Sequence, residues 1–357
     1  MKITVAGAGN SGQTTAADLA LAGHEVTLFE LPAFAERIAY VEKSGVIEKY
    51  GSLGTTGRTG RARIAKVTTQ SAAAFPDAEI IILCVPAYAH TSFFETFVEH
   101  LRPGQIVLVS PGNWGAWRLR QLLTVRGKGK GVYTAETDIC LHICRADEPF
   151  LGPGRVRVIL ERKRVLLAAT PARDTELVLA KLKPIYPFLV PAKNVVETSL
   201  NNSNIVTHGP LMLMNAGWIE HTSGNVMIYR DGVTTSVART IDVVGQESDE
   251  VLRALGFAPR AVEKTYERIK NAKWVLDPCE TAPPSLSHRY LSEDVPFGLV
   301  PLADIARALN VTTPAADAMI TLAGIVNGVD YRREGLSLKK LGLTGLSADG
   351  LLRLVEG

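Results

Sequence analysis

"KITVAGAGNSGQTTAADLALAGHEVTLFE", residues 2–30, decides the fold of the first half of the chain. Ile3 to Ala6 form a short run suited to a buried strand. Gly7, Gly9 and Gly12 then give G-x-G-x-x-G, and Ala16, Ala17, Leu19, Ala20 and Leu21 follow at the spacing of a helix pressed against a sheet. Gly23 ends that helix before the next strand, "EVTLFE". Each glycine answers a physical need. Gly7 permits a tight turn, Gly9 lets backbone N–H groups approach a pyrophosphate, and Gly12 removes a side chain where helix meets strand. Asn10 and Ser11 open the helix, whose N-terminus supplies positive potential, and count among the expected cofactor contacts. Glu30 closes the second strand at roughly the distance of about 20 residues expected for a ribose-binding acid. A carboxylate there accepts from a ribose 2′-OH and repels a 2′-phosphate, which favours NAD, with NADP as the alternative. Arg37, on the next helix, is the residue able to reverse that choice.

The remaining composition narrows the class. With 357 residues the chain is long for one core, so two domains are expected. Hydrophobic residues make up 46% and charged residues 21%, the balance of a globular enzyme. A net charge of +3 gives no reason to invoke nucleic acid or an anionic membrane. The four cysteines, Cys84, Cys140, Cys144 and Cys279, lack zinc-site spacing, so no metal is expected and free thiols in a reducing cytosol are. Cys140 and Cys144 have the spacing of helix neighbours. No apolar run reaches the roughly 18 residues that span a bilayer, and Met1 leads into the first strand without a signal peptide, so a cytoplasmic protein is expected.

Two further strand-helix units are predicted, with strands near 79–85 and 105–110. Val85, Pro86 and Ala87 follow the first, and the Ser110–Asn113 loop follows the second. Both sit where an open α/β sheet places its ligand. "SLGTTGRTGRARIAKVTT" reads as a glycine-rich hairpin carrying Arg58, Arg61 and Arg63, and "GRVRVILERKRVLLAAT" as an antiparallel hairpin. In "VYTAETDICLHIC" the polar trio Glu136, Thr137 and Asp138 interrupts an apolar stretch, and such groups either find partners or face a cleft. These segments complete a Rossmann-type α/β domain over residues 1–195. From 196 to 357 the apolar spacing is helical, which predicts an all-α second domain, and the cleft between domains is the default active site.

"TSLNNSNIVTHGP" (198–210), "HRYLSEDVPFGLVPL" (288–302) and "DYRREGLSLKKLGLTGLSADGL" (330–351), together with GAGNSG, resemble the opine dehydrogenases, the octopine and nopaline dehydrogenase family. The resemblance runs over nearly the whole chain in order. It implies an oxidoreductase acting on CH–NH bonds, with reductive condensation of a 2-oxo acid, commonly pyruvate, and the amino group of an L-amino acid using NADH or NADPH. By motif, His208 matches the family's catalytic histidine, Asp294 its carboxylate partner, and Arg289 the arginine that grips the substrate carboxylate. Loss of water from a carbinolamine needs an acid near neutral pH, which suits imidazole. An adjacent carboxylate favours its protonated form. Asn204, one turn before His208, is a candidate for orienting the cofactor amide or the histidine.

The choice of amino acid is not carried by these motifs. Glu136, Thr137 and Asp138 are substrate-side candidates, and a carboxylate at 138 would suit a basic amino acid. Trp114, Trp117, Trp218 and Tyr229 would equally line an apolar pocket. His288 and Glu293 read as solvated or structural, and a homodimer is compatible with the sequence. Two other functions share these features: a 2-oxo/2-hydroxy acid dehydrogenase that needs no amine, and a dinucleotide-binding regulator without turnover.

Overall fold

Ile3, Thr4, Val5 and Ala6 are all buried, as a strand covered on both faces requires. In the computed structural model, which describes all residues except 52–56, 147–150, 161, 260–263, 273–274, 276–280, 346 and 357, they form β1 (Lys2–Ala6). The chain divides into two compact units, one of residues 1–198 with 355–357 and one of residues 199–354.

The first unit carries α1 (Asn10–Leu21), α2 (Gly115–Val125) and two sheets. Its strands are β2 (Glu25–Phe29), β3 (Val46–Gly51), β4 (Gly60–Arg63), β5 (Lys66–Thr68), β6 (Ile80–Leu83), β7 (Ile106–Val109), β8 (Tyr133–Thr137), β9 (Ile143–Ala146), β10 (Arg155–Leu160), β11 (Val165–Thr170) and β12 (Leu189–Pro191). The larger sheet has the order β12-β11-β8-β7-β6-β1-β2-β5, parallel except where β11 meets β8. Its order reverses at β1, between β2 and β6, which is the switch point where an open parallel sheet receives ligands. Successive residues of β6 serve opposite faces. Ile80 and Ile82 join the core beneath α1, while Ile81 and Leu83 join a second core with Phe75, Phe93 and Phe97. Each such side chain contributes about 1.5–3 kcal/mol by leaving water.

The smaller sheet, β4-β3-β10-β9, packs on the outer side of α1. Asp18 of α1 pairs there with Lys49 of β3, and both side chains are fully buried. Of the two expected hairpins, the glycine-rich one keeps an arm in place, β4 running antiparallel to β3 across a connection that lies partly outside the described residues, and the other is corrected. Residues 60–63 pair with β3 in the small sheet while residues 66–68 lie at the edge of the large one. "GRVRVIL" and "RVLLAAT" likewise part company: β10 joins the small sheet and β11 the large one. The reason is in the side chains. Val156 and Val158 of β10 are buried and alternate with the more exposed Arg155, Arg157 and Ile159, as suits a sheet with one covered face, whereas all six residues of β11 are buried. Cys144 lies on β9 and Cys140 precedes that strand, so the two are not helix neighbours. Burial pushes the Cys84 thiol up to about 12 and the Cys144 thiol up to about 11, and Cys279 lies outside the described residues.

Among the described residues, 199–354 contain helices and no strand. Among them are α3 (Ser203–Leu213), α4 (Thr235–Ala254), a short α5 (Arg289–Ser292), a π-helical turn over Val295–Leu299, α6 (Val300–Ala308) and α7 (Pro314–Asn327). Asn202 caps α3 by accepting from the Asn204 N–H at 3.0 Å. Glu247, in the middle of α4, reaches the first turn of α7 and accepts from the N–H groups of Ala315 and Ala316, each at 2.8 Å. That carboxylate meets two orphan donors at the positive end of a helix. Gly298 brings the π turn against α3, because a Cβ there would stand 2.2 Å from Ile205 Cγ2.

Candidate active site

In the first unit the glycine loop has the geometry its sequence requires. Gly7 adopts φ +94°, and a Cβ on it would meet Val85 Cγ1 at 2.3 Å. The loop of Val85, Pro86 and Ala87 after β6 therefore packs directly on the turn after β1. At Gly12 a Cβ would lie 1.7 Å from the Gly7 carbonyl oxygen, so α1 rests on the turn backbone. Above Gly9 there is open space, with nothing within 4 Å of a built Cβ. A bare backbone facing a void at the start of α1 fits a pyrophosphate.

Glu30 is buried, with one carboxylate oxygen accepting from the Ala8 N–H at 2.8 Å and the other from the Leu31 N–H at 2.9 Å. Burial raises its pKa, and the two backbone bonds oppose that. Each oxygen has a second lone pair for a ribose hydroxyl. Asn10 Oδ1 accepts from the Ala146 N–H at 3.0 Å and ties the loop to β9. Ser11 is half-buried in the first turn of α1, and Arg37 is exposed, its guanidinium 4.7 Å from the Phe34 ring centroid.

The polar trio turns inward. Glu136 is fully buried and accepts from the Ala116 N–H at 3.0 Å and the Thr198 hydroxyl at 2.8 Å. It braces the start of α2 through these two bonds. Thr137 is also buried, its hydroxyl donating to the Ile139 carbonyl at 2.8 Å, with Ser110 Oγ at 2.9 Å. Asp138 is half-buried and its Oδ1 accepts from the Leu166 N–H at 2.9 Å, fastening β8 to β11. Burial pushes its carboxyl up to about 7, against the pull of Arg162. A raised carboxyl favours the folded state below its unfolded pKa, and that contribution is lost as pH rises to about 7. Asp138→Asn keeps the acceptor without the charge. Between pH 5 and 8 the variant should gain on its parent by roughly 1–3 kcal/mol. A constant gap in thermal unfolding across that range would count against a raised Asp138.

In the second unit α3 and the segment after α5 bring distant residues together. His208 Nδ1 lies 2.6 Å from Asp294 Oδ2, across 86 residues of sequence, and both side chains are buried. Burial pushes the Asp294 carboxyl up to about 7, while Arg289 pulls it down. The Tyr229 hydroxyl is 3.0 Å from His208 Nε2, and the Tyr290 ring stacks on the imidazole at 3.7 Å between centroids and 13° between planes. Asn204 is half-buried one turn earlier on α3.

Arg289 is 37% exposed and contacts Glu293, one turn along, at 3.3 Å. Glu293 is only 2% exposed, so it is a buried partner for the guanidinium and not a solvated charge. His288 accepts weakly from the Tyr290 N–H at 3.4 Å and caps α5. Trp114 and Trp117 belong to the core, while Trp218 is exposed. Tyr290 is a site residue that the sequence does not single out, and Tyr229 is there only a pocket-lining candidate: neither shares a motif with His208, and only the fold places their rings around it.

A chain built this way falls in the class of two-domain dehydrogenases that use a nicotinamide dinucleotide. Comparison with known proteins narrows the class. The sequence model described as NAD/NADP octopine/nopaline dehydrogenase, alpha-helical domain, matches residues 191–327, and that of ketopantoate reductase PanE/ApbA matches residues 3–112. An opine dehydrogenase of Arthrobacter sp. (strain 1C) is 32% identical, over 99% of this chain and 98% of that protein. The octopine dehydrogenase of Mizuhopecten yessoensis is 24% identical over 94% of this chain and 92% of its own. A structure of octopine dehydrogenase with NADH and pyruvate superposes with a TM-score of 0.75 at 20% identity, covering 99% of this chain and 98% of that one. The chain belongs to the opine dehydrogenase family of NAD(P)-dependent oxidoreductases. Among the described residues no helix is long and apolar enough to cross a membrane, and no group of three or more His, Cys, Asp or Glu side chains is arranged to hold a metal ion.

Proposed function

We propose that the chain joins a 2-oxo acid, pyruvate in the first instance, to the amino group of an L-amino acid by NAD(P)H-dependent reduction at the new C–N bond, and catalyses the reverse oxidation. The observation that carries this reading is the buried 2.6 Å contact of His208 with Asp294, with Arg289 on the adjoining short helix. A reduced nicotinamide bound at the glycine loop supplies the hydride. His208 supplies the proton that lets the carbinolamine oxygen depart as water, and Asp294 fixes the imidazole so that Nε2 is the nitrogen that gives it up. Arg289 offers a planar fork to the oxo acid carboxylate and orients the reacting carbon. Val85, Pro86, Ala87 and the glycine loop hold the dinucleotide, and Glu30 favours NAD over NADP.

Oxidation of NADH with pyruvate alone, compared with pyruvate plus arginine, phenylalanine, alanine or glutamate, tests the reading. Condensation requires both substrates. Turnover with pyruvate alone would mark a hydroxy acid dehydrogenase, and NADH binding without turnover a regulator. Arg289→Lys keeps a cation beside Glu293 but removes the two-pronged geometry. Its KM for the oxo acid should rise roughly 10- to 100-fold, the effect of weakening a charge-assisted hydrogen bond, with the amino acid KM moving less. Equal shifts in both constants would place Arg289 elsewhere.

A further inference from the structure

We propose that the Tyr229 hydroxyl is the last carrier of the proton that His208 supplies, so that tyrosine and not imidazole touches the substrate oxygen. The inference rests on the reading of His208 as proton source. The imidazole is enclosed: Asp294 holds Nδ1 at 2.6 Å, Tyr290 covers one face at 3.7 Å, and the Tyr229 hydroxyl meets Nε2 at 3.0 Å. His208 is 3% exposed and Tyr229 8%. Asp294 takes one ring nitrogen, so a proton leaving for chemistry leaves from Nε2, and the first oxygen on that line is Tyr229 Oη. A hydroxyl that only braced the ring would occupy the nitrogen the reaction needs.

The transfer balances. Imidazolium Nε2–H passes its proton to Tyr229 Oη as the Oη–H proton passes to the carbinolamine oxygen. The C–O bond then breaks, water leaves with that proton, and the nitrogen lone pair closes the C=N bond. Histidine is left neutral with Nδ1–H toward Asp294, tyrosine has its proton back, and no electron has been exchanged before hydride transfer. In opine oxidation the same steps run backward. Tyrosine suits a relay because its hydroxyl donates and accepts at once, and its ordinary pKa of about 10 keeps it protonated at neutral pH.

Single-turnover NADH oxidation with pyruvate and the amino acid tests the proposal in the whole enzyme. Tyr229→Phe should lower the rate roughly 10- to 100-fold, at or below the usual range for a lost acid or base, with both KM values nearly unchanged. Its rate in mixed H2O and D2O should depend linearly on deuterium content, where the parent shows the curvature of two protons in flight. A ring-fluorinated tyrosine at 229 keeps the packing while making the hydroxyl more acidic, and its rate should differ from the parent's. A Tyr229→Phe variant with the parent's rate would overturn the relay. So would a slower variant whose isotope dependence stays curved while the fluorinated residue behaves as tyrosine, since that marks a brace. His208→Ala, run alongside, separates the two ideas: full activity there removes the proton source itself, whereas inactivity with an unaffected Tyr229→Phe removes only the relay.

Discussion

His208→Ala is expected to lower kcat by roughly two to four orders of magnitude, the range for losing a positioned acid or base. NADH affinity should stay nearly constant, because His208 belongs to the helical unit while the glycine loop lies in the other. Asp294→Asn preserves shape and tests the electrostatic half of the pair. With Asp294 pushed up to about 7, the pair changes its proton count near neutrality. In the condensing direction the proton must be present, so the rate should fall as pH rises through that region. Asp294→Asn should displace or abolish this limb and lower the plateau. A His208→Ala enzyme with ordinary kcat, or an unchanged profile in Asp294→Asn, would refute the pair as the seat of proton transfer.

Among the three glycines of the loop, Gly12→Ala should be the most damaging to packing. The added methyl would sit 1.7 Å from the Gly7 carbonyl oxygen and 2.8 Å from its carbon, and backbone cannot rotate aside as a side chain does. Either α1 lifts from β1 or the turn opens. Overpacking of this kind costs about 1–3 kcal/mol or more, and thermal unfolding should come roughly 5–10 °C earlier. NADH affinity should fall at least tenfold if the displaced amides meet the pyrophosphate as proposed. Gly9→Ala is the counterpart. Its methyl would enter open space and leave stability nearly untouched, yet it would stand where the pyrophosphate approaches. Weakened NADH binding with unchanged unfolding in Gly9→Ala, against loss of both in Gly12→Ala, would separate packing from ligand contact. If Gly9→Ala bound NADH as tightly as the parent, the loop would not be the phosphate cradle.

Much of this was readable from the chain, for reasons that are local. The first strand, glycine turn and helix follow from short-range sterics, and a run such as Ile80–Leu83 announces a strand covered on both sides. Pairing partners are a different matter. "GRVRVIL" and "RVLLAAT" look like the arms of a hairpin until burial distinguishes an alternating strand from a continuous one and sends each to its own sheet. For the trio Glu136, Thr137 and Asp138 the sequence leaves internal partners and a cleft as alternatives, and the fold supplies partners that include Ala116, Thr198, Ser110, Ile139 and Leu166. Family motifs brought out His208, Asp294 and Arg289, and the fold joins the first two. Tyr229 and Tyr290 were not legible as its neighbours, because the contact of a ring with an imidazole leaves no periodicity behind. For Glu293 the sequence leaves a solvated and a structural reading open, and the burial of its side chain beside Arg289 decides for the structural one.

That turn has a consequence for how the chain can vary. An α-helix advances by about 100° per residue, and a π turn accommodates one residue more than an α turn. Asp294 immediately precedes such a turn, which is pinned to α3 where Gly298 meets Ile205. With Gly298 as the fixed point, deleting one residue from 295–297 would leave every chemical group of the site present and swing Asp294 about 100° away from His208. Length between these two points is therefore as strictly set as residue identity.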